Sequence, residues 1–272
     1  LFSLQKISVS VYIALFPLAL NAGDPSFIPA GAAQAGMGYV TVMKTDLWSS
    51  FHNQAALAFQ QGTLFGICYE NRFGLRETGT CSASFASKWG RTGIGAVYSH
   101  FGYSDFSRQM TGIACALAIS GKISAGVQID WFNEKMYGEY NDRHALTFEA
   151  GLLITSSENL RFGIHLFNPV PNSVRTNEMT SGIRAGAAIK LTGNFLAGAE
   201  FEMTTGGKVD LRTGFDYEAA KGFWLRGGFR TFNPSFSFGI GYRLKPAIID
   251  IAFATHEKLG ITSTVSITFI LK

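Results

Sequence analysis

The chain is short of charge, of cysteine and of long apolar runs. Only 15% of its 272 residues are Asp, Glu, Lys or Arg, against 47% apolar, a balance that excludes a disordered or nucleic-acid-binding polypeptide. The formal charge is +4 and no run of Lys and Arg forms a basic arm, so nothing argues for a phosphate-rich partner. Three cysteines, Cys68, Cys81 and Cys115, are odd in number and lack metal-ligand spacing. Alternation sets Cys68 and Cys81 on opposite faces of neighbouring strands, so they are read as packing residues and not as a bridge.

Catalytic patterns are also missing. The histidines His52, His100, His144, His165 and His256 show no HExxH pattern and no paired ligand spacing, and there is no GxSxG elbow. "AGMGYV" lacks the third glycine of a dinucleotide loop. The expectation is a non-enzyme with no cofactor and no metal. Past the N-terminus no segment reaches the about 18 consecutive apolar residues of a membrane-spanning helix.

What is abundant is Phe, at 24, and Gly, at 31. From about Thr63 onward they fall within fourteen candidate strands, each about 9 to 13 residues long, which is enough to cross a bilayer at a tilt. In "GKISAGVQIDWFNE", Ile123, Ala125, Val127, Ile129 and Trp131 share one parity, and Ser124, Gly126, Gln128 and Asp130 the other. "HALTFEAGLLI", "NLRFGIHLF" and "SGIRAGAAIKL" repeat the pattern. In a soluble sandwich the apolar row would meet a core; in a barrel it would meet lipid, with the polar row in the lumen.

The connections favour the barrel. Alternate ones are tight ("SKWG", "SGK", "SSEN", "LTGN", "EAAK", "LKP"), and the others run longer ("SHFGYSDFS", "KMYGEYNDRH", "NPVPNSVRTNEMT"). That asymmetry, and an even strand count, belong to outer-membrane barrels. Trp131, Tyr137, Tyr140, Phe101, Tyr103, Tyr217, Phe223 and Tyr242 lie near strand ends, where an interfacial girdle would stand. The expected fold is therefore all-β, a transmembrane antiparallel barrel of about fourteen strands over residues 63–272.

Residues 1–22 read as a signal peptide: Lys6, an apolar stretch from Ile7 to Leu20, then Asn21-Ala22. The expected location is the outer membrane of a Gram-negative cell, among its lipids. Residues 23–62 break the alternation and read as a short plug inside the lumen.

This segment carries an Ala-rich lead, Gly36-Met37-Gly38, an acid at Asp46, aromatics including Trp48, and an Asn53-Gln54-Ala55-Ala56-Leu57 ending. It resembles the N-terminal signature of the FadL-like outer-membrane barrels, most closely the PorV/PorQ-type barrels of Bacteroidota, which usually have Pro in place of Gln54. "HLFNPV", with Asn168-Pro169 closing a strand, adds to the likeness. The resemblance implies a plug within a fourteen-stranded lumen, with Gly36, Gly38, Asp46, Trp48, Asn53 and Leu57 as its motif residues.

The residues support a plug independently, because fourteen strands enclose more space than wall side chains can fill. Inward positions are often tiny, as at Gly126, Gly151, Gly163, Gly186, Gly198, Gly214, Gly228 and Gly239. They either admit the plug backbone or ease strand bending. Lumen charges come in both signs: Asp130, Glu149 and Glu200 against Arg161, Arg184, Arg212, Arg226 and Arg243. Mixed sign suits internal pairing better than an ion-selective channel.

Two functions follow from the resemblance. The preferred one, because the loops are short, is a non-catalytic subunit of a protein export, surface-attachment or barrel-assembly complex of the type IX secretion kind, partnered by other outer-membrane or periplasmic proteins. The alternative is a passive transporter with a hydrophobic small molecule as its ligand.

Overall fold

The computed structural model describes residues 29–138, 142–170, 173–174, 177–205, 207 and 209–271. The signal-peptide reading, the first six residues of the plug segment (23–28) and Tyr140 lie outside the described residues. The wall begins with β1 (Thr63–Asn71), β2 (Gly79–Trp89), β3 (Thr92–Gly102), β4 (Phe106–Ala118), β5 (Ile123–Met136), β6 (Arg143–Thr155) and β7 (Leu160–Phe167). A small ribbon, β8 (Ser173–Val174) with β9 (Asn177–Glu178), stands in the next connection. The wall resumes with β10 (Gly182–Thr192), β11 (Phe195–Thr204), β12 (Val209–Ala220), β13 (Phe223–Arg230), β14 (Ser235–Leu244), β15 (Ala247–His256) and β16 (Gly260–Leu271).

Apart from the ribbon, each strand pairs antiparallel with its neighbours in sequence, and β16 pairs with β1 to close a fourteen-stranded barrel. Closure removes the free edges that would otherwise expose unpaired backbone. At one end the chain turns within a few residues, as at Gly90-Arg91, Gly193-Asn194 and Lys221-Gly222; at the other the connections include Arg72–Thr78 and Asn168–Ser181. The expected long connection after Ser99 is shorter than its composition suggests. β3 continues to Gly102 and only Tyr103–Asp105 remain as loop, because barrel strands run on past the apolar belt.

Alternation decides which face is which. Val127 is 60% exposed and the adjacent Gln128 only 1%. Ile113, Phe148, Leu211 and Phe238 are likewise exposed while their polar or small neighbours are buried. The soluble sandwich is thereby excluded, since its large apolar side chains would be the hidden ones. Outward Gly227 is covered by the Phe215 ring, whose Cε1 would lie 2.5 Å from a β-carbon there, an aromatic filling the gap beside a glycine. With an oily exterior and no free edge, the chain is a transmembrane β-barrel of the Gram-negative outer membrane. Cys68 points inward and is buried, Cys81 and Cys115 point outward, and Cys68 stands opposite Ser82 in the β1–β2 register.

Candidate functional site

The lumen is occupied by the N-terminal segment. It begins with the short helix α1 (Ala32–Gly36), turns through Gly38 and Tyr39, both at positive φ, and continues into two 3₁₀ turns, Leu47–Phe51 and Gln54–Phe59. Turns this short need caps for their unpaired N–H groups. Asp46 caps the first by accepting the Trp48 N–H at 2.9 Å, and the Ser49 hydroxyl accepts the Asp46 N–H in return. Asn53 caps the second by accepting the Ala55 N–H at 3.1 Å, while its amide donates to the carbonyls of Val42 and Leu152.

The motif residues divide their roles. Trp48 and Leu57 are buried in the main apolar cluster with Phe51. A β-carbon on Gly36 would fall 2.9 Å from the Gly239 Cα, and one on Gly38 3.2 Å from the Phe229 nitrogen. Backbone therefore meets backbone where α1 leans on the wall.

The same close approach recurs around the barrel. A β-carbon on Gly126 would lie 2.6 Å from the Ala55 nitrogen, and one on Gly186 2.7 Å from the Met43 Cε. Gly93, Gly151, Gly163 and Gly214 would overlap Leu57, Asn53, Val42 and Met37 respectively. Of the two roles open to the inward glycines, admission of the plug is thus realised at these positions, of its backbone at Gly93, Gly126, Gly163 and Gly214 and of its side chains at Gly151 and Gly186. Gly112 and Gly241 instead make room for Asp130 and for Asp250 with Arg226.

Polar contacts fix the plug in place. Glu200 accepts the Thr41 and Val42 N–H groups at 2.7 and 3.0 Å. Arg184 donates to the His52 carbonyl at 2.5 Å and lies 3.5 Å from Glu200. Its Nη2 is also 3.1 Å from His165 Nδ1, and His165 Nε2 is 2.8 Å from Glu149. The Gln54 amide bonds Glu149 and donates to the Ser50 carbonyl. Gln54 thus opens its 3₁₀ turn at a position where proline is tolerated, and its side chain adds a link that proline would lack. Lower in the lumen, Lys44 pairs with Asp216 at 2.9 Å and Arg226 with Asp250 at 2.7 Å.

Among the residues proposed from sequence, Asp130, Glu149, Arg184, Glu200, Arg212 and Arg226 are buried in the lumen. Arg161 and Arg243 share the inward parity but are exposed, Arg161 near Thr45 and Arg243 over the Trp224 ring. Parity gives the face, and these two stand at the turn-end mouth of the lumen. Asp216 is among the lumen acids expected from parity and Gln54 stands in the motif as the residue replacing proline, whereas His165 and Lys44 are participants that sequence reasoning did not single out. The signal available for His165 was its inward parity one strand away from Glu149 and Arg184.

Burial pushes Asp46 up from the usual carboxylate range, an effect Lys44 opposes. Burial, reinforced by the Arg184 charge, holds His52 well below the ordinary imidazole value. Among the described residues no group of three or more His, Cys, Asp or Glu is placed to hold a metal.

Above the plug, the two sides of the lumen differ. On the β4–β7 side, Met110, Phe132, Ala145, Phe167 and Met179 fill the interior. On the other side a vestibule of about 490 Å³ opens toward the loop end. Its floor and walls include Tyr39, Glu70, Arg72, Asp210, Arg212 and Arg230, with Phe73, Phe232 and Leu259 higher up. The Tyr39 hydroxyl donates to Glu70 at 2.7 Å, and Arg212 is held by Asp210 at 2.8 Å and by Glu202.

The sequence matches no family model and no curated protein. In fold, the chain is similar to the toluene transporter TbuX of Ralstonia pickettii, with a TM-score of 0.71, 11% identity, and coverage of 91% of this chain and 100% of that one. The Pseudomonas putida toluene transporter TodX gives a TM-score of 0.71 at 12% identity, covering 89% and 98%. A FadL homologue of Pseudomonas aeruginosa gives 0.69 at 10%, covering 89% and 98%. At such identity the likeness is one of fold.

Proposed function

We propose that the chain is a passive outer-membrane channel for small hydrophobic molecules, which enter at the vestibule and leave sideways. The observation that carries this reading is a vestibule open at the loop end and floored by a plug in contact with the wall. The likeness in fold to hydrocarbon transporters supports it over the subunit reading, which rests on short connections. The resemblance to PorV/PorQ-type barrels rests on the N-terminal stretch and the Asn168-Pro169 segment alone.

A molecule in the vestibule meets the plug below it, and at the loop end the ladder between β6 and β7 stops short. That strand ends at Phe167, opposite Glu149, whereas β6 extends outward to Arg143. Asn168 makes the last ladder bond, to the Phe148 carbonyl at 2.9 Å, and Pro169 has no N–H to continue. Release there, past Phe167 and Met179, which fill the interior on that side, would deliver a hydrophobic solute to the bilayer without moving the plug.

The test is toluene accumulation by a Gram-negative host with and without the barrel. Faster entry in expressing cells is expected. Equal rates, together with recovery of large stoichiometric protein partners in mild detergent, would move the assignment to the subunit.

A further inference from the structure

The acids and the arginines of the vestibule are not equally satisfied. Both Glu70 oxygens are taken, one by the Tyr39 hydroxyl at 2.7 Å and the other by Arg72 Nε at 2.6 Å. Both Asp210 oxygens are taken too, by the Phe232 N–H at 2.8 Å on one side and by Arg212 and Arg230 on the other. Arg212 is spent on Asp210, Glu202 and Glu200. A guanidinium carries five N–H donors. Among the described residues Arg72 is paired through Nε alone, and Arg230 through Nη2 alone, with its buried Nε lacking an acceptor. Glu202 is bonded to Arg212 through one oxygen only, so among the charged groups of this cavity the unspent capacity is one carboxylate oxygen against the several remaining guanidinium donors of Arg72 and Arg230.

We infer that the vestibule binds a compact organic monoanion, a carboxylate on an apolar ring, whose oxygens take the spare donors of Arg72 or Arg230 while the ring rests on Phe73, Phe232 and Leu259. The inference rests on the transport reading and narrows its substrate. The volume of about 490 Å³ lies within the range of small-molecule sites. A plain hydrocarbon resting against the apolar residues alone passes without using the guanidinium donors, whereas a carboxylated ring returns to them the hydrogen bonds of the water it displaces and is held. A carboxylate matches the planar guanidinium fork. The three acids already lining the cavity, Glu70, Glu202 and Asp210, oppose a dianion more than a monoanion.

Benzoate is the probe, measured by equilibrium dialysis against the full-length barrel in detergent, with acetate as the head group alone. Folding is checked by heat-modifiable gel mobility. Wild type should bind benzoate at least tenfold more tightly than acetate. Arg72→Gln and Arg230→Gln should each weaken benzoate by about tenfold, and Arg161→Gln, at the opposite mouth, should leave it unchanged. Benzoate binding that is absent, no tighter than acetate, or indifferent to both vestibule substitutions overturns the inference. Should toluene uptake persist in that case, the transport reading stands without it. Conversely, Arg-dependent benzoate binding with no gain in toluene uptake keeps the anion site and removes hydrocarbon transport. If one of these variants fails to fold, the other and the benzoate-to-acetate ratio of wild type still decide.

Discussion

Gly163 of β7 lies against the plug backbone at Val42, with no room for a β-carbon before the Val42 carbonyl. Backbone packing of this kind transmits any added volume directly to the plug, since neither partner has a flexible side chain to move aside. Gly163→Val is therefore expected to push the plug off its seat, at a cost of roughly 1–3 kcal/mol for overpacking. The measurement is entry of a large hydrophilic antibiotic such as vancomycin into cells carrying the variant. Increased sensitivity is expected. Gly121→Val, at a turn where nothing lies within 4 Å of the added carbon, should behave as wild type.

Glu200 joins the wall to the plug in a different way, through the N–H groups of Thr41 and Val42 and through Arg184. Glu200→Ala removes a buried charge from between two buried arginines and leaves two N–H groups without their acceptor. Breaking a buried pair from one side costs about 3–5 kcal/mol. The expected outcome is a barrel that still forms, because its ladder is untouched, with a plug that limited proteolysis cuts between Thr41 and Asp46. A plug as resistant as wild type would show that Glu200 does not hold it.

The barrel itself was legible because its signal is repeated in every strand. Ile123 to Trp131 give the lipid face by period alone, and the tight turns fix the end at which they lie. Height was not legible: Arg161 and Arg243 have the right parity, yet stand exposed at the mouth. Nor does a small inward residue announce what approaches it. Gly151 meets Asn53, a residue far away in the chain, whereas Gly112 only makes room for Asp130. The vestibule was invisible for a related reason, since Glu70, Arg72, Asp210 and Arg230 come from strand ends that only barrel closure brings together.

His52 gives the plug a pH response of definite sign. Its ring accepts no proton readily when seated, because burial and Arg184 hold its pKa well below the ordinary 6.5. A released plug would titrate near 6.5. Above that pH neither state binds the proton, so His52 contributes no pH dependence. As pH falls below it, the released state gains protons and the seated one does not, so seating weakens. Comparing wild type with His52→Gln between pH 7.5 and 5.5 isolates this group. The protease sensitivity of wild type should rise relative to the variant below about pH 6.5; parallel curves would show that His52 does not titrate on release.

Position 127 against position 128 is the sharpest test of the wall. Val127 is 60% exposed on the outer face, and Gln128 is 1% exposed with its amide on Asp130 at 2.8 Å. Single cysteines there are best placed in a background with Cys68, Cys81 and Cys115 replaced by Ser. In native membranes Val127→Cys should react with a lipid-soluble maleimide and resist a charged, water-soluble one, since water is absent from the belt. Gln128→Cys should resist both, because the plug and the neighbouring acids close over it. Detergent solubilisation should leave position 128 protected. Ready labelling of position 128 by the charged reagent, with 127 shielded from the lipid-soluble one, would reverse inside and outside and remove the membrane assignment along with every lumenal role argued from it.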